Sequence, residues 1–368
     1  MERIVLAYSG GLDTSAAIPW LKEHFHAEVV AVTMDLGQER ELEAVRDRAL
    51  AIGALRAHVL DVRELFVHDY VLPALKADAL FDDRSPMTAA LAHPVIAQKL
   101  VQIAEIEHAQ AVAHGGGGVG RRAVFDALVR ALNPKLKIIA PARDWGMTRA
   151  EVAEYARARG VPLPNGFDSP FRSELNLWGR SIECNTLDDE PPEEIYKLTK
   201  PAKECPDEPA YVDIQFEHGA PAAVNSVSMP VVELIAALNV IASTHGVGRI
   251  DVVEHRVGNT RLREIGEAPA AVLLHAAHRE LRRITAPREL ERFCRKVSEE
   301  YADIIYSGLW FSPLRKALNG FVESVQDKLS GTVRLKLYKG AYAIVACNAA
   351  VAPSPVTIRA SQGLRPKD

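Results

Sequence analysis

The sequence predicts an α/β protein: a doubly wound parallel-sheet domain, then an α+β domain, then a C-terminal arm. Three observations carry this expectation. Short apolar runs alternate with helical patterns through the first 160 residues, which builds a parallel sheet covered on both faces. The alternation stops at the breakers Pro162, Pro164, Asn165 and Gly166. Beyond them strands and helices are grouped differently, and Pro353, Pro355 and Pro366 mark a tail. The boundaries are therefore expected at 1–165, 166–348 and 349–368, the last a flexible arm or a partner-binding segment.

Taken in order, strands are expected at Ile4–Tyr8, Val29–Asp35, Ala57–Asp61, Gln110–Ala113 and Lys137–Ala140, where β-branched and apolar residues run together. Helices are expected at Asp13–His24, Arg40–Ile52, Ala89–Glu107 and Thr148–Arg159, where apolar residues recur at helical spacing. In such sheets ligands sit at the carboxyl ends of the strands, and both glycine loops, after Tyr8 and after Ala113, fall there. In the second part Tyr211–Glu217, Arg249–Arg256 and Val272–His275 read as strands. Pro230–Thr244, Ala276–Arg283 and Pro287–Tyr301 read as helices. Val333–Tyr338 and Ala341–Cys347 flank Lys339-Gly340 as a hairpin.

Composition narrows the function. The chain of 368 residues is long enough for two or three domains, and 48% hydrophobic with 25% charged residues is ordinary for a globular protein. A net charge of −4 without a basic block gives nothing for nucleic acid or an anionic membrane to hold. No apolar run reaches membrane-spanning length. Four scattered cysteines, none in C-x-x-C, and twelve scattered histidines offer no metal-site spacing. With no signal peptide, the reducing cytoplasm is the expected compartment.

The most informative stretch is Ala7-Tyr8-Ser9-Gly10-Gly11-Leu12-Asp13-Thr14-Ser15, between a strand and a helix. A Gly-Gly turn lets the backbone approach a ligand, and the first N–H groups of the helix then point at an anion. Asp13, Thr14 and Ser15 add a carboxylate and hydroxyls suited to phosphate oxygens and Mg²⁺. The loop has no lysine of the Walker A type. It is similar instead to the S-G-G-x-D-[ST]-S loop of the ATP pyrophosphatases, which cut ATP between the α and β phosphates. The residues alone also allow a plain capped helix after a tight turn.

Further stretches resemble argininosuccinate synthase in family order. They are Asp35-Leu36-Gly37-Gln38, Asn176-Leu177-Trp178-Gly179-Arg180-Ser181-Ile182-Glu183, and Gly246-Val247-Gly248-Arg249-Ile250-Asp251. Gly308-Leu309-Trp310-Phe311-Ser312-Pro313 and the run from Gly331 to Gly340 complete the series. The resemblance implies an ATP-pyrophosphatase (HUP-like) nucleotide domain, a synthetase domain and a homotetramer serving arginine biosynthesis. It implies an AMP-forming C–N ligase using ATP and Mg²⁺, which adenylates the ureido oxygen of citrulline and joins the carbon to the aspartate amine. It implies nucleotide contacts from Ala7 through Ser15, Met34 (an alanine in the family) and Gly115. Asp13 and Ser181 are the expected catalytic residues, and Ser181, Glu183 and Glu254 fall on citrulline-binding positions.

The substrate side departs from the family. Where the family writes H-G-x-T-G-K-G-N-D-Q-V-R-F-E, this chain reads His114-Gly115-Gly116-Gly117-Gly118-Val119-Gly120-Arg121-Arg122-Ala123-Val124-Phe125-Asp126. Gly117 stands for the aspartate-binding Thr, Arg121 for the Asn and Arg122 for the Asp, and the citrulline-contacting Arg is deleted. Ser85 and Gly266 replace citrulline-side tyrosines, and Arg172 replaces a serine. One charge pair at ~4 Å is worth ~4 kcal/mol near a protein surface. Each lost bond to a charged group costs roughly 1.5–3 kcal/mol, against about 4 kcal/mol for binding a millimolar amino acid. The expectation is a C–N ligase with shifted substrates, Arg121, Arg122 and Arg172 favouring a more anionic ligand.

Two other readings stand beside it. An ATP-binding pseudoenzyme that regulates a true synthase would also keep the loop and lose the pocket. Gly115-x-Gly117-x-x-Gly120 formally fits a dinucleotide fingerprint, although no acidic residue follows at ribose distance.

Overall fold

The computed structural model describes residues 2–38, 41–115, 119–163, 171–184, 189–256 and 260–350. Its first sheet is wholly parallel, in the order β3-β2-β1-β4-β5. The strands are β1 (Arg3–Ala7), β2 (Glu28–Asp35), β3 (Arg56–Asp61), β4 (Ala111–His114) and β5 (Lys137–Ile139). Ile4, Val5, Leu6 and Val29 to Val32 are all but sealed from solvent, because helices cover both faces. These are α1 (Leu12–Phe25), α2 (Leu42–Ala51), α3 (Arg63–Phe66), α4 (Leu72–Ala77), α5 (Thr88–Ile106), α6 (Val119–Leu132), α7 (Pro141–Asp144) and α8 (Arg149–Ala158). A π-helical turn, Val67–Val71, joins α3 to α4. The strand order reverses between β1 and β4, so the segments leaving these two strands part and open a crevice between them.

Beyond residue 171 two antiparallel sheets follow. One is β11-β12-β7-β6, made of β6 (Arg172–Asn176), β7 (Gly179–Cys184), β11 (Arg249–Arg256) and β12 (Thr260–Glu267). The other, β10-β9-β8-β13-β14, holds β8 (Ala210–Glu217), β9 (Ala220–Val224), β10 (Val227–Ser228), β13 (Gly331–Tyr338) and β14 (Ala341–Ala349). Helices α9 (Val231–Thr244), α10 (Pro269–Thr285), α11 (Arg288–Tyr306) and α12 (Pro313–Gln326) pack around them. The expected hairpin is the pair β13–β14, with Lys339 and Gly340 in the left-handed region at its turn.

One expected strand is wrong: Val272–His275 lies inside α10. Pro269 sits in the first turn of that helix, and Ala270, Ala271, Leu273, Leu274, Ala277 and Leu281 are its buried stripe. Four apolar-looking residues were too short a window to separate period 3.6 from a strand. Helices α3, α4, α6, α7 and α12 and strands β6, β7, β9, β10 and β12 were not anticipated from periodicity. Residues 351–368, most of the expected arm, lie outside the described residues.

The two halves share one apolar core, running from Val5 and Leu91 through Trp178 to Leu274 and Leu335. The β6–β7 turn docks on the first half. The Leu177 N–H donates to the Leu36 carbonyl at 2.7 Å, and Asn176 donates to the Thr88 carbonyl at 2.8 Å. Gly37 (φ +84°) lies beneath, where a Cβ would stand 3.0 Å from Leu177.

Candidate functional site

The crevice at the switch point opens into a cavity of about 1120 Å³. That is room for more than the roughly 300–1,000 Å³ of a usual small-molecule pocket. One wall is the loop after β1. Ala7 to Thr14 line it, as do Met34, whose side chain is buried, and Gly115. Ser15 lies behind, sealed from solvent and 3.1 Å from the Tyr8 hydroxyl.

The loop is held by its own groups. Gly10 is left-handed (φ +72°), and a Cβ there would meet Val45 at 3.1 Å. Gly11 caps α1, and among the described residues no side chain caps the helix N–H groups, so these donors remain for a ligand. Ser9 and Thr14 hydroxyls stand 3.2 Å apart, and Thr14 also donates to the Gly11 carbonyl at 3.3 Å. Gly115 approaches so closely that its Cβ would be 2.5 Å from the Thr14 methyl. Burial, partly offset by the Ser15 bond and Arg48, raises the Tyr8 pKa. The phenol therefore stays neutral. Asp13 lines the cavity with no partner among the described residues.

Three groups here went unread in the sequence. Arg48, on α2, lines the cavity and donates to the Gly10 carbonyl at 3.1 Å. Arg149, the first residue of α8, lines it too. His114 stands 3.1 Å from Asp126 of α6, which also meets Arg143 at 3.4 Å. Burial alone would raise the Asp126 pKa, but the His114 bond and nearby charges hold it below the usual range. A histidine before a glycine loop and a carboxylate twelve residues on were visible in the sequence; their meeting was not.

The facing wall is the β6–β7–β12–β11 sheet. Register puts Glu174, Ser181, Gly266 and Ile250 in one row, and Arg172, Glu183, Glu264 and Val252 in the next but one. Directly paired residues, and residues two apart on a strand, share a face. Ser181, Glu183 and Arg172 thus lie on one face, with Glu254 two positions beyond Val252. Glu174 and Glu183 line the cavity. Ser181 lies one row in, 1% exposed, its hydroxyl buried with no partner among the described residues. Glu264 joins this face as a further buried carboxylate.

Behind the wall, Glu267 is fully buried and accepts from the N–H groups of Lys197, Leu198 and Thr199 at 2.9 Å each. It also takes the Thr199 hydroxyl at 2.9 Å and Arg180 at 3.1 Å. Arg180 and Lys197 line the cavity, so this one carboxylate fixes that side.

Ser85 is buried and accepts from the Met87 N–H at 3.2 Å. A Cβ on Gly266 would meet nothing closer than 3.4 Å. Gly117 lies outside the described residues. Arg121 and Arg122 fall in the first turn of α6 and Arg172 and Glu254 on strands, their side chains outside the described residues. No helix among the described residues is long and apolar enough to cross a membrane.

Comparison with known proteins agrees with this architecture. Residues 3–162 match the arginosuccinate synthase N-terminal HUP domain, and residues 171–353 the arginosuccinate synthase C-terminal domain. A protein of Dehalococcoides mccartyi named argininosuccinate synthase is 49% identical over 348 residues, 94% of this chain and 86% of its own. A protein of the same name from Gloeobacter violaceus is 49% identical over 349 residues, covering 94% and 88%. A solved 4-thiouridine synthetase–RNA complex with bound ATP overlaps 44% of this chain and 41% of its own at 20% identity. Its TM-score of 0.33 is too loose to bear on the fold. With both halves matched and nearly half of all residues shared with these relatives, the chain belongs to the argininosuccinate synthase family.

Proposed function

We propose that this protein is an ATP-dependent, AMP-forming ligase that activates the ureido oxygen of a citrulline-like amino acid and joins its carbon to an amine. The observation that carries the reading is one cavity with two unlike walls. A helix N-terminus whose N–H donors have no side-chain cap among the described residues faces a sheet bearing Glu174 and Glu183 at the cavity. Donors suit phosphate oxygens, and carboxylates suit an amino acid's ammonium group.

The chemistry such a site supports is transfer of AMP to the ureido oxygen with loss of pyrophosphate, then displacement of AMP by the amine. The loop from Ser9 to Ser15 cradles phosphates, and the close approach of Gly115 to Thr14 leaves the backbone exposed to the nucleotide. Asp13, a cavity carboxylate with no partner among the described residues, would hold Mg²⁺, which would neutralise phosphate charge. Glu183 and Ser181 orient the ureido substrate, Ser181 offering the hydroxyl that the protein leaves unbonded. Holding both reactants in attacking geometry supplies much of the rate.

The acceptor side differs from the family pattern at Gly117, Arg121 and Arg122, and Arg172 stands on the wall. An amine acceptor more anionic than aspartate fits those cations. The protein acts as a homotetramer on small molecules, without nucleic acid, in the cytoplasm.

Citrulline-dependent exchange of labelled pyrophosphate into ATP, with no acceptor present, tests the first half-reaction. Exchange is expected; none with any ureido or amide compound leaves only a nucleotide-binding regulatory protein. Argininosuccinate formation at an ordinary rate with aspartate would end the altered-acceptor reading and keep the ligase.

A further inference from the structure

Among the described residues the phosphate-facing loop has a carboxylate, Asp13, and no cation of its own. Cleavage between the α and β phosphates drives negative charge onto the departing pyrophosphate, and that charge needs a fixed positive partner. Arg48 is positioned to be one. It enters from α2, is half-buried, and lines the cavity beside Gly10 and Gly11. One guanidinium N–H is fixed on the Gly10 carbonyl at 3.1 Å. No described carboxylate pairs with it, whereas its neighbour Arg46 is taken by Asp47 at 3.0 Å. A guanidinium carries five N–H donors, so one bond to the loop leaves four for phosphate oxygens.

We propose that Arg48 binds the β and γ phosphates of ATP and stabilises the leaving pyrophosphate, taking from α2 the part that a lysine plays inside a Walker loop. The inference rests on the ligase reading above but names a residue that reading does not need. Its bond to Gly10 sets the guanidinium at the mouth of the loop before ligand arrives, so little side-chain freedom is lost on binding.

Calorimetric titration of ATP, AMP and inorganic pyrophosphate into wild-type protein, Arg48→Met and Arg48→Lys separates the roles. Arg48→Met is expected to weaken ATP and pyrophosphate on the order of 10- to 100-fold, as for loss of a charge-assisted contact. AMP should change less than about 2-fold, and Arg48→Lys should recover most of the loss. Equal weakening of ATP and AMP would mean that Arg48 only shapes the loop, and unchanged ATP binding would remove it from the site; either overturns the proposal. Wild-type protein that binds none of the three would overturn the ligase reading as well. Thermal unfolding checks that the variants fold, and Arg48→Gln replaces Arg48→Met if that chain does not.

Discussion

On the nucleotide wall, the groups from Ser9 to Ser15 come from one short stretch and bond mostly to one another. On the facing wall, Glu174, Glu183 and Glu264 come from three strands and meet only through register, and Glu267 ties the segment behind them to the sheet. The first wall is a local backbone conformation, touched from outside the stretch at a few points such as Gly115 and Arg48. The second is a product of tertiary assembly, in which single residues can change while the sheet persists. On the proposed reading, energy entry and substrate choice are thereby built as separable parts.

Three changes test that separation. The largest effect is expected at Glu267. Glu267→Ala leaves Arg180 and three N–H groups without their buried acceptor, and should cost about 3–5 kcal/mol, read as a drop in the urea midpoint. If the two walls are separable, a folded remnant still binds ATP; loss of both together would join them.

Gly115→Ala comes next. Its Cβ would lie 2.5 Å from the Thr14 methyl, an overpacking worth about 1–3 kcal/mol. ATP affinity should fall about 5- to 100-fold while urea stability changes less than for Glu267→Ala. Adding Thr14→Ser, which removes the methyl and keeps the hydroxyl, should restore binding; no recovery would show that the contact is not the cause.

The smallest effect is a pH dependence. His278, in the α10 layer behind the facing wall, is pushed down to about 3, first by burial and then by Arg282. The unfolded ring titrates near its ordinary ~6.5, so between those values the unfolded chain binds the extra proton. Stability is therefore fully present above pH ~6.5 and falls below it, approaching about 1.4 kcal/mol per pH unit from this group. Asp78 adds to the loss at lower pH. Burial would raise its pKa, but bonds from His275 and Arg279 outweigh that and hold it well below the carboxylate range. Stability that it gains above its unfolded pKa is lost as pH drops further. Urea titrations from pH 7 to 4.5 should show the decline, flattened in His278→Gln; an unchanged slope would clear His278.

Legibility in the sequence followed the same division. The parallel sheet, helices α1, α2, α5 and α8 and the loop were readable because continuous apolar strands, helical periodicity and a Gly-Gly turn are local signals. Arg48 was not, since an arginine on an amphipathic helix looks like any solvated cation until the fold swings α2 over Gly10. Strands β6, β7 and β12 carry Arg172, Glu174, Arg180, Glu183, Arg263 and Glu264 among few apolar residues, so no alternation announced them. Helix α10 was half misread because Val272 to His275 suits either period. Ser181 and Glu183 were reached through resemblance to a family, and the register then gave them a common face.

The hydrogen bond from the Leu177 N–H to the Leu36 carbonyl has a mechanical consequence. It fastens the β6–β7 turn to the end of β2, Asn176 adds a second bond to the first half at Thr88, and Asn239 of α9 holds the turn from its own half. Opening a hinge between the halves would break the two bonds that cross to Leu36 and Thr88 and part a shared core. The spacing between the two walls of the cavity is therefore tied to the folding of the whole chain and not to a loop alone.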